Sequence, residues 1–512
     1  MAWAHSLNRV IGETQRFEHS LGLHGKNSDG GCVRDDVYID GFVRSVRAQK
    51  EIHFVTLSDG SSLEPLQAVV PVSQAKGVTI GSAVRLHGSW TPSRGSGQSH
   101  ELQVQSATVL GPSDPKTFPL QKKFHTPDYL RGLPHLRPRA PFNSLLLRFR
   151  SELIASLTRF FTDRQFNQTH TPILTSSDCE GAGEVFHVSA GDPSPSSSSS
   201  PSTPNTPKTS NHFFRRPVYT TVSAQLHLEA LAQALGNVWT LSPTFRAEQS
   251  NTPRHLSEFY MLEAEMSFTD EMDSVMDLVE DMLRHICTDL AGSRVQTEVF
   301  AERKGDRATY LHTAEQVSQR WQGLMQKKWP RITYTEAMKL LESSKKEFSF
   351  SPVWGNDLTT EHERYIATEV GGGNSPVFVT NYPRDIKAFY MRGSAEDRNA
   401  PPPGMTVDCF DLLVPDFLEI AGGSMREHRL EQLQESMRAR GMTPTISPVN
   451  DTKPATEPTE NNLDWYVDLR RWGCPPHGGF GLGFDRLVCY LTGVMSIQDT
   501  PAFPRWYGRC DC

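Results

Sequence analysis

The sequence predicts an α+β protein: a small all-β barrel towards the N-terminus, then a larger domain of strands and helices. Three observations predict it. Five strand-like runs crowd Val37 to Gly111, a heavily charged strand pair spans Val238 to Phe268, and a glycine-rich strand, Gly478 to Leu487, passes straight into an amphipathic helix. A chain of 512 residues has room for two or three domains. Its 37% hydrophobic and 22% charged content are globular values. No run approaches the ~18–20 apolar residues that span a bilayer. The formal charge of −7 argues against a general nucleic-acid binder but leaves room for a local basic surface.

Residues 1–36 form an N-terminal extension. Arg9 and Arg16 with few acids before Asp29 suggest a targeting segment, while Glu13 and Glu18 depart from a clean transit peptide. The eight cysteines are scattered, with no CxxC pair or His/Cys cluster that would read as zinc. They read as reduced thiols of a cytosolic or matrix protein.

Over 37–112 the runs VYIDGFVRSV, IHFVTLSDGSS, LQAVVPV, AVRLHGSW and ELQVQSATVLG are parted by Gly, Ser and Asp turns. Five short strands suit a closed barrel such as the oligonucleotide-binding fold. Phe54, just before the SDGSS turn, reads either as barrel core or as an exposed ring on which a base stacks. A hinge follows over 113–140. Between Lys116 and Arg150, Lys122, Lys123, Arg131, Arg137, Arg139, Arg148 and Arg150 stand against the single acid Asp128, which fits a solvated connector or an RNA-contacting surface. Leu146, Phe149, Leu153, Leu157 and Phe160 then recur at helical spacing over about Phe142 to Phe161, before THTPIL, Thr169 to Leu174. By themselves they describe a plain core helix. The low-complexity stretches 191–211 and 441–462 cannot bury a core and read as insertions without chemistry.

In the strand pair, Thr240, Ser242, Thr244, Arg246 and Glu248 share one face, and His255, Ser257, Phe259, Met261, Glu263 and Glu265 share the matching one. An arginine, a histidine, an aromatic ring and three carboxylates on one surface must be solvated or paired. Such a surface suits a ligand that is both anionic and flat. In GGFGLGFDRL the glycines allow close backbone approach and Arg486 can stack on a base or pair with phosphate. Taken alone, this run is equally a strand-to-helix packing device.

FRAE followed by RHLSEF resembles the second signature of the class II aminoacyl-tRNA synthetases, GFGLGFDRL the third, and the Phe142–Phe161 helix with THTPIL the first. The resemblance runs from about Val37 to Arg505. It implies an anticodon-binding barrel and, over 141–507, a catalytic domain with an antiparallel sheet flanked by helices. It implies a homodimer, with Pro172 at the contact. The implied chemistry is activation of an amino acid by ATP with Mg²⁺, then transfer to tRNA. No protein nucleophile is needed, only positioning of two anions and neutralisation of the charge that builds at the α-phosphate. By the family pattern Arg246 and Arg486 are the catalytic arginines. Arg246, Glu248, Arg254, His255, Leu256, Phe259, Glu419, Gly483 and Arg486 hold ATP. Arg246 takes the α-phosphate and substrate carboxylate, Glu248 the adenine amino group, His255 the outer phosphates, and Phe259 stacks on adenine. Asp411 and Glu419 hold the metal. Leu418 stands where the family has glycine, so it either points away or tightens the site. On the barrel, Arg44, Arg47, Phe54 and Gln67 match anticodon contacts.

VTNYPRDIKAFYMR, GGSMRE and VSAQLHLEA resemble the asparagine branch of the family. The implied partners are asparagine, ATP and tRNA(Asn), with no membrane. Where aspartate enzymes place lysine, this chain has Leu228 followed by Glu229. That carboxylate is expected to accept the amide NH₂ and to repel aspartate, and Arg426 to donate to the side-chain carbonyl. Glu180 and Gln225 match the α-amino anchor. DCEGAGE, TEHERYI and DLRRWGCPPHGGFG resemble the mitochondrial form, implying the mitochondrial matrix, with the cytoplasm as the alternative. The nearest rival is an aspartate or dual-specificity enzyme. Further off stand a tRNA-independent asparagine-forming paralogue, which would lack the barrel, and an inactive RNA-binding protein, which need not keep Arg246 and Arg486.

Overall fold

Alternating apolar residues close the first sheet on itself. The computed structural model describes residues 33–95, 97–176, 185–189, 213–214, 216–301, 309–326, 328–394, 404–442 and 463–512. Strands β1 (Arg34–Ala48), β2 (Ile52–Ser58), β3 (Leu66–Pro71), β4 (Ala83–Pro92) and β5 (His100–Gly111) form a closed barrel in the order β1-β2-β3-β5-β4. Ile39, Val55, Leu57, Ala68, Val84, Leu86 and Leu102 fill its interior, and the alternate side chains point outward. Phe54 is half-exposed and is not one of the core residues.

The chain divides into two compact units. One contains the residues up to Ser151, Gly292–Tyr310 and the last two residues; the other is Glu152–Ala291 with Leu311–Cys510. In the first, several of the basic residues after the barrel are structural. Arg137 is buried. The Arg139 guanidinium lies 4.0 Å from the centre of the Phe42 ring and donates to the Gly81 carbonyl at 3.1 Å. Arg148 pairs with Glu298 at 2.6 Å. All three are thereby engaged within the fold.

The second unit is built on an eight-stranded sheet. Its strands are β6 (Asn167–Gln168), β7 (Asn237–Phe245), β8 (Glu258–Ser267), β9 (Arg331–Thr333), β10 (Val377–Thr380), β11 (Cys409–Val414), β12 (Leu418–Met425) and β13 (His477–Gly483), in the order β9-β10-β11-β12-β13-β8-β7-β6. The six central strands pair antiparallel. The two edge pairs, β9–β10 and β6–β7, are parallel. Each is joined through at least one helix, as a parallel connection requires: Gln225–Leu235 precedes β7, and Tyr334–Glu342 and Thr360–Gly371 lie between β9 and β10. The first-signature helix runs from Pro141 to Asp163, with Leu146, Phe149, Leu153, Leu157 and Phe160 buried.

The charged strand pair is shorter than expected. Strand β7 ends at Phe245 and β8 begins at Glu258, so Arg246, Glu248 and His255 stand on the connecting loop. Its first turn is still tied, since the Arg246 amide donates to the Ser257 carbonyl at 3.1 Å. The register keeps the expected faces, with Phe259 opposite Thr244, Met261 opposite Ser242 and Glu263 opposite Thr240.

Leu418 has φ +62°, in the left-handed region that favours glycine, and its side chain is buried. It lines neither of the cavities described below, so it points away from them. The backbone strain costs ~1–2 kcal/mol, and burying the leucine side chain offsets it by ~1.5–3 kcal/mol.

Candidate active site

Two cavities open along the polar face of β7 and β8. The larger, about 550 Å³, is lined by Gln225, Leu228, Arg246, Glu263, Glu265, Lys387, Tyr390, Asp411, Arg426 and Gly481 among others. The smaller, about 120 Å³, is lined by Arg246, Glu248, Arg254, His255, Leu256, Phe259, Glu419, Gly483 and Arg486 among others. All nine residues expected to hold ATP therefore line one cavity. Arg246, Met261, Glu419 and Gly481 line both, so the Arg246 guanidinium stands where the two meet.

At the smaller cavity, His255 faces Glu248 at 3.3 Å and Thr252 at 2.6 Å. The Arg246 guanidinium is 3.9 Å from Glu248 and 5.8 Å from the centre of the Phe259 ring. Arg486, at the start of helix Phe484–Thr492, donates to the Glu419 carbonyl at 2.7 Å. Buried Asp485 fixes that helix start: it accepts from the Tyr260 amide at 3.0 Å and the Thr500 hydroxyl at 2.9 Å. The two signatures are thereby locked together through the residue preceding Arg486.

Asp411 and Glu419 converge. A Cβ placed on Gly422 would lie 3.2 Å from Asp411 Oδ1 and 3.5 Å from Glu419 Oε1. The other Asp411 oxygen takes a 2.8 Å bond from Lys387, whose ammonium also lies 4.0 Å from the centre of the Tyr382 ring. Burial, then Glu419 and Asp411, push the Glu363 carboxyl up to about 8, against Arg486 and Arg254. Two carboxylate oxygens facing one space bare of any side chain suit a hard cation such as Mg²⁺.

Buried charges form the wall of the larger cavity. Arg426 grips Glu265 with Nε at 3.1 Å and Nη2 at 3.0 Å, and Ser424 with Nη1 at 2.6 Å. Burial first, and then Glu229, push the Glu265 carboxyl up, while Arg426 pulls it down. Glu263 accepts from the Ala224 amide at 2.9 Å and the Ser223 hydroxyl at 2.5 Å. It thereby answers free amides at the start of helix Gln225–Leu235 and orients Gln225 and Glu229.

Glu229 stands elsewhere than the sequence suggested. It is fully buried and is not part of the cavity wall. Arg470 at 2.6 Å, His477 at 3.0 Å, Tyr466 at 2.8 Å and Gln225 at 3.1 Å all donate to it. Four donors fill a carboxylate's acceptor capacity, so it has no lone pair left for a ligand amide in this arrangement. Burial pushes its pKa up, but Arg470, His477 and Arg426 outweigh that and hold it well below the ordinary carboxylate range. Both His477 nitrogens face acceptors, Glu229 at 3.0 Å and the Pro475 carbonyl at 2.8 Å. Despite burial, bonds to Cys474 and Glu229 and the charges of Glu229 and Glu265 raise its pKa to about 10. Sequence reasoning missed Glu265 as the partner of Arg426, Lys387 as the partner of Asp411, and the Arg470–Tyr466–His477 cage. Each pairing joins residues far apart in the chain, which no local spacing reveals. Glu180 lies outside the described residues.

On the barrel, Arg47 pairs with Phe54 across β1 and β2, its guanidinium 4.6 Å from the ring centre. Gln67 lies opposite Thr56, on the same outer face, and its amide donates to Glu101 at 2.9 Å. Arg44 sits at a bulge in β1 and donates to the Arg139 carbonyl at 2.5 Å.

Residues 130–507 match the family model of class II tRNA synthetases (D, K and N). The asparagine–tRNA ligase of a Nostoc species is 41% identical over 93% of this chain and 96% of its own length. The mitochondrial asparagine–tRNA ligase of Saccharomyces cerevisiae is 40% identical over 92% of each chain. Among solved structures, the asparaginyl-tRNA synthetase of Pyrococcus horikoshii complexed with asparaginyl-adenylate matches with a TM-score of 0.74 at 27% identity. That match covers 93% of this chain and 96% of the other.

Proposed function

This chain belongs to the class II tRNA synthetases, within the asparaginyl-tRNA synthetases, and we propose that it joins asparagine to tRNA(Asn) through an asparaginyl-adenylate. The observation that carries this reading is Arg246 at the junction of the two cavities. The amino acid fills the larger and ATP the smaller, so substrate carboxylate and α-phosphate meet at one guanidinium. A carboxylate oxygen bonds to the α-phosphorus, and the bond to the β-phosphate oxygen breaks, leaving pyrophosphate with the electron pair. A ribose hydroxyl at the tRNA 3′ end then displaces AMP from the carbonyl carbon. Arg246 lowers the charge on the reacting phosphate, Phe259 stacks on adenine, and Arg486 covers the other adenine face or reaches the γ-phosphate. Glu248 accepts from the adenine amino group, and Arg254 and His255 take the outer phosphates. Asp411 and Glu419 would hold Mg²⁺, which when bound neutralises phosphate charge.

Asparagine is favoured at Arg426. Its charge is already answered by Glu265, and Glu229 stands 3.9 Å away. Among the described residues three of its five N–H groups are engaged, leaving two for a neutral side-chain carbonyl. An aspartate carboxylate would be a third anion around one cation. Gln225 anchors the α-ammonium group, together with Glu180.

ATP–pyrophosphate exchange with each amino acid tests the reading. Exchange with asparagine alone is expected, and exchange with aspartate but not asparagine would overturn it. Arg47, Phe54 and Gln67 form the anticodon surface, with Arg44 at its margin. Two molecules join through the first-signature segment, where Ile154, Ile173 and Leu174 leave 37–43% of their surface exposed; light scattering should give twice the mass of one chain. No described helix is long and apolar enough to cross a membrane. The place of work is the mitochondrial matrix, in keeping with the yeast relative, and cell fractionation of the full chain checks it.

A further inference from the structure

We propose that Arg364 is a pyrophosphate-binding residue, and that the chamber it lines receives the pyrophosphate released from ATP. This rests on the ligase reading above. The chamber, about 630 Å³, is walled by the Thr252–His255 loop, by Thr360 and Arg364 of helix Thr360–Gly371, by the Asp416–Phe417 turn and by Arg486. Arg254, His255, Arg486 and Ile497 line both this chamber and the nucleotide cavity. The two spaces are therefore neighbours, and two of the shared residues, Arg254 and His255, are those assigned to the outer phosphates.

The charge balance is one-sided. Among the described residues, Arg254, Arg364 and Arg486 face the chamber, and the one acid in its lining, Asp416, is engaged by Arg320 at 2.7 Å. Arg254 feels the crowding: burial, then Arg364 and Arg486, lower its pKa. The Arg364 guanidinium makes no ion pair among the described residues, and the side chain is exposed. Thr360 and Arg364 are four residues apart and so present one helix face to the chamber. Three cations with one neutralised acid make a polyanion site. The anion that chemistry delivers here is pyrophosphate, which carries away the electron pair of the broken phosphorus–oxygen bond and needs no proton to leave. By microscopic reversal, pyrophosphate entering for exchange uses the same chamber.

The test uses the full-length chain and inorganic pyrophosphate as the probe. In calorimetric titration with pyrophosphate, Arg364→Gln should bind about tenfold more weakly than wild type, the loss of ~1.4 kcal/mol expected of a charge-assisted contact. Arg364→Lys, which keeps the charge without the fork, should recover part of that loss. In exchange assays the KM for pyrophosphate should rise to match while the KM for asparagine stays within twofold, which a folding defect would not allow. Equal pyrophosphate affinity in wild type and Arg364→Gln would overturn the assignment. Failure of the wild type to exchange with asparagine would instead sink the ligase reading, and the calorimetry would still decide the chamber.

Discussion

Replacing Glu229 by Gln tests whether this residue reads the substrate or builds the wall behind it. The side chain is fully buried, and Arg470, His477, Tyr466 and Gln225 donate to it. An amide of the same shape removes one acceptor and turns an NH₂ group towards other donors, leaving Arg470 and His477 buried without their counter-charge. Breaking a buried pair from one side costs ~3–5 kcal/mol, and the two cations share this single carboxylate, so the upper half of that range is expected. Urea-induced unfolding of the catalytic unit at pH 7.5 reads the loss. The pH dependence supplies a second reading. The folded-state pKa of Glu229 is depressed below its unfolded value, so its stabilisation is present above about pH 4.5 and fades as pH falls. The gap between wild type and Glu229→Gln should therefore narrow on acidification. A loss below about 1 kcal/mol would refute the cage. A stable variant that gained exchange with aspartate would return Glu229 to the substrate, as the sequence suggested.

His477 should stay protonated at pH 8, visible in the nitrogen shifts of its ring. Its folded pKa is raised to about 10, so its stabilisation is complete below about pH 6.5 and is lost as pH rises through 10. His477→Phe should remove that alkaline limb from a plot of stability against pH. Gly479→Ala should destabilise by ~1–3 kcal/mol, because its Cβ would sit 2.1 Å from Glu265 Oε2 and 2.3 Å from the Ala264 carbonyl oxygen. The KM for asparagine should rise more than that for ATP as Glu265 is pushed off Arg426; equal change in both would count against this. Phe54→Ala should lower tRNA charging through KM for tRNA by roughly tenfold, from a lost stack of ~1–3 kcal/mol, with exchange untouched. If exchange falls equally, the ring is structural.

The nucleotide side of the site was legible in the sequence because its residues cluster. Arg246 to Phe259 lie on one hairpin, and the third signature pairs directly with it: Met261 is opposite Gly483 and Glu263 opposite Gly481. Local alternation predicts such a face, and a glycine strand beside it leaves the room. The amino-acid side was legible only in part. Arg426 and Gln225 could be named, but which carboxylate faces the ligand depends on depth within the wall, and depth is set by tertiary packing. Glu229 lies one helical turn after Gln225, which looks like a second lining position. The turn instead carries it out of the cavity wall to Arg470 and His477, more than two hundred residues later in the chain. Glu265 is the converse: the sequence assigned neither it nor Glu263 a role, yet the two carboxylates divide the work, one holding a helix start and the other an arginine.

Leu418 shows why a departure from a family pattern need not reach the chemistry. The position requires positive φ because β11 and β12 meet through a tight turn followed by a bulge, and the register shifts between Leu412 and Leu413. Glycine meets that requirement without strain, whereas leucine meets it by burying its side chain. Leu418→Gly should therefore relieve ~1–2 kcal/mol of backbone strain and forfeit ~2–5 kcal/mol of buried side chain with the cavity it leaves, for a net loss of ~1–3 kcal/mol in unfolding free energy. Exchange kinetics should be unchanged, since Glu419 keeps its backbone contact with Arg486. A gain in stability would mean that the leucine packs poorly. A shift in the Mg²⁺ dependence of exchange would mean that the turn sets the position of Glu419, and that the leucine reaches the reaction after all.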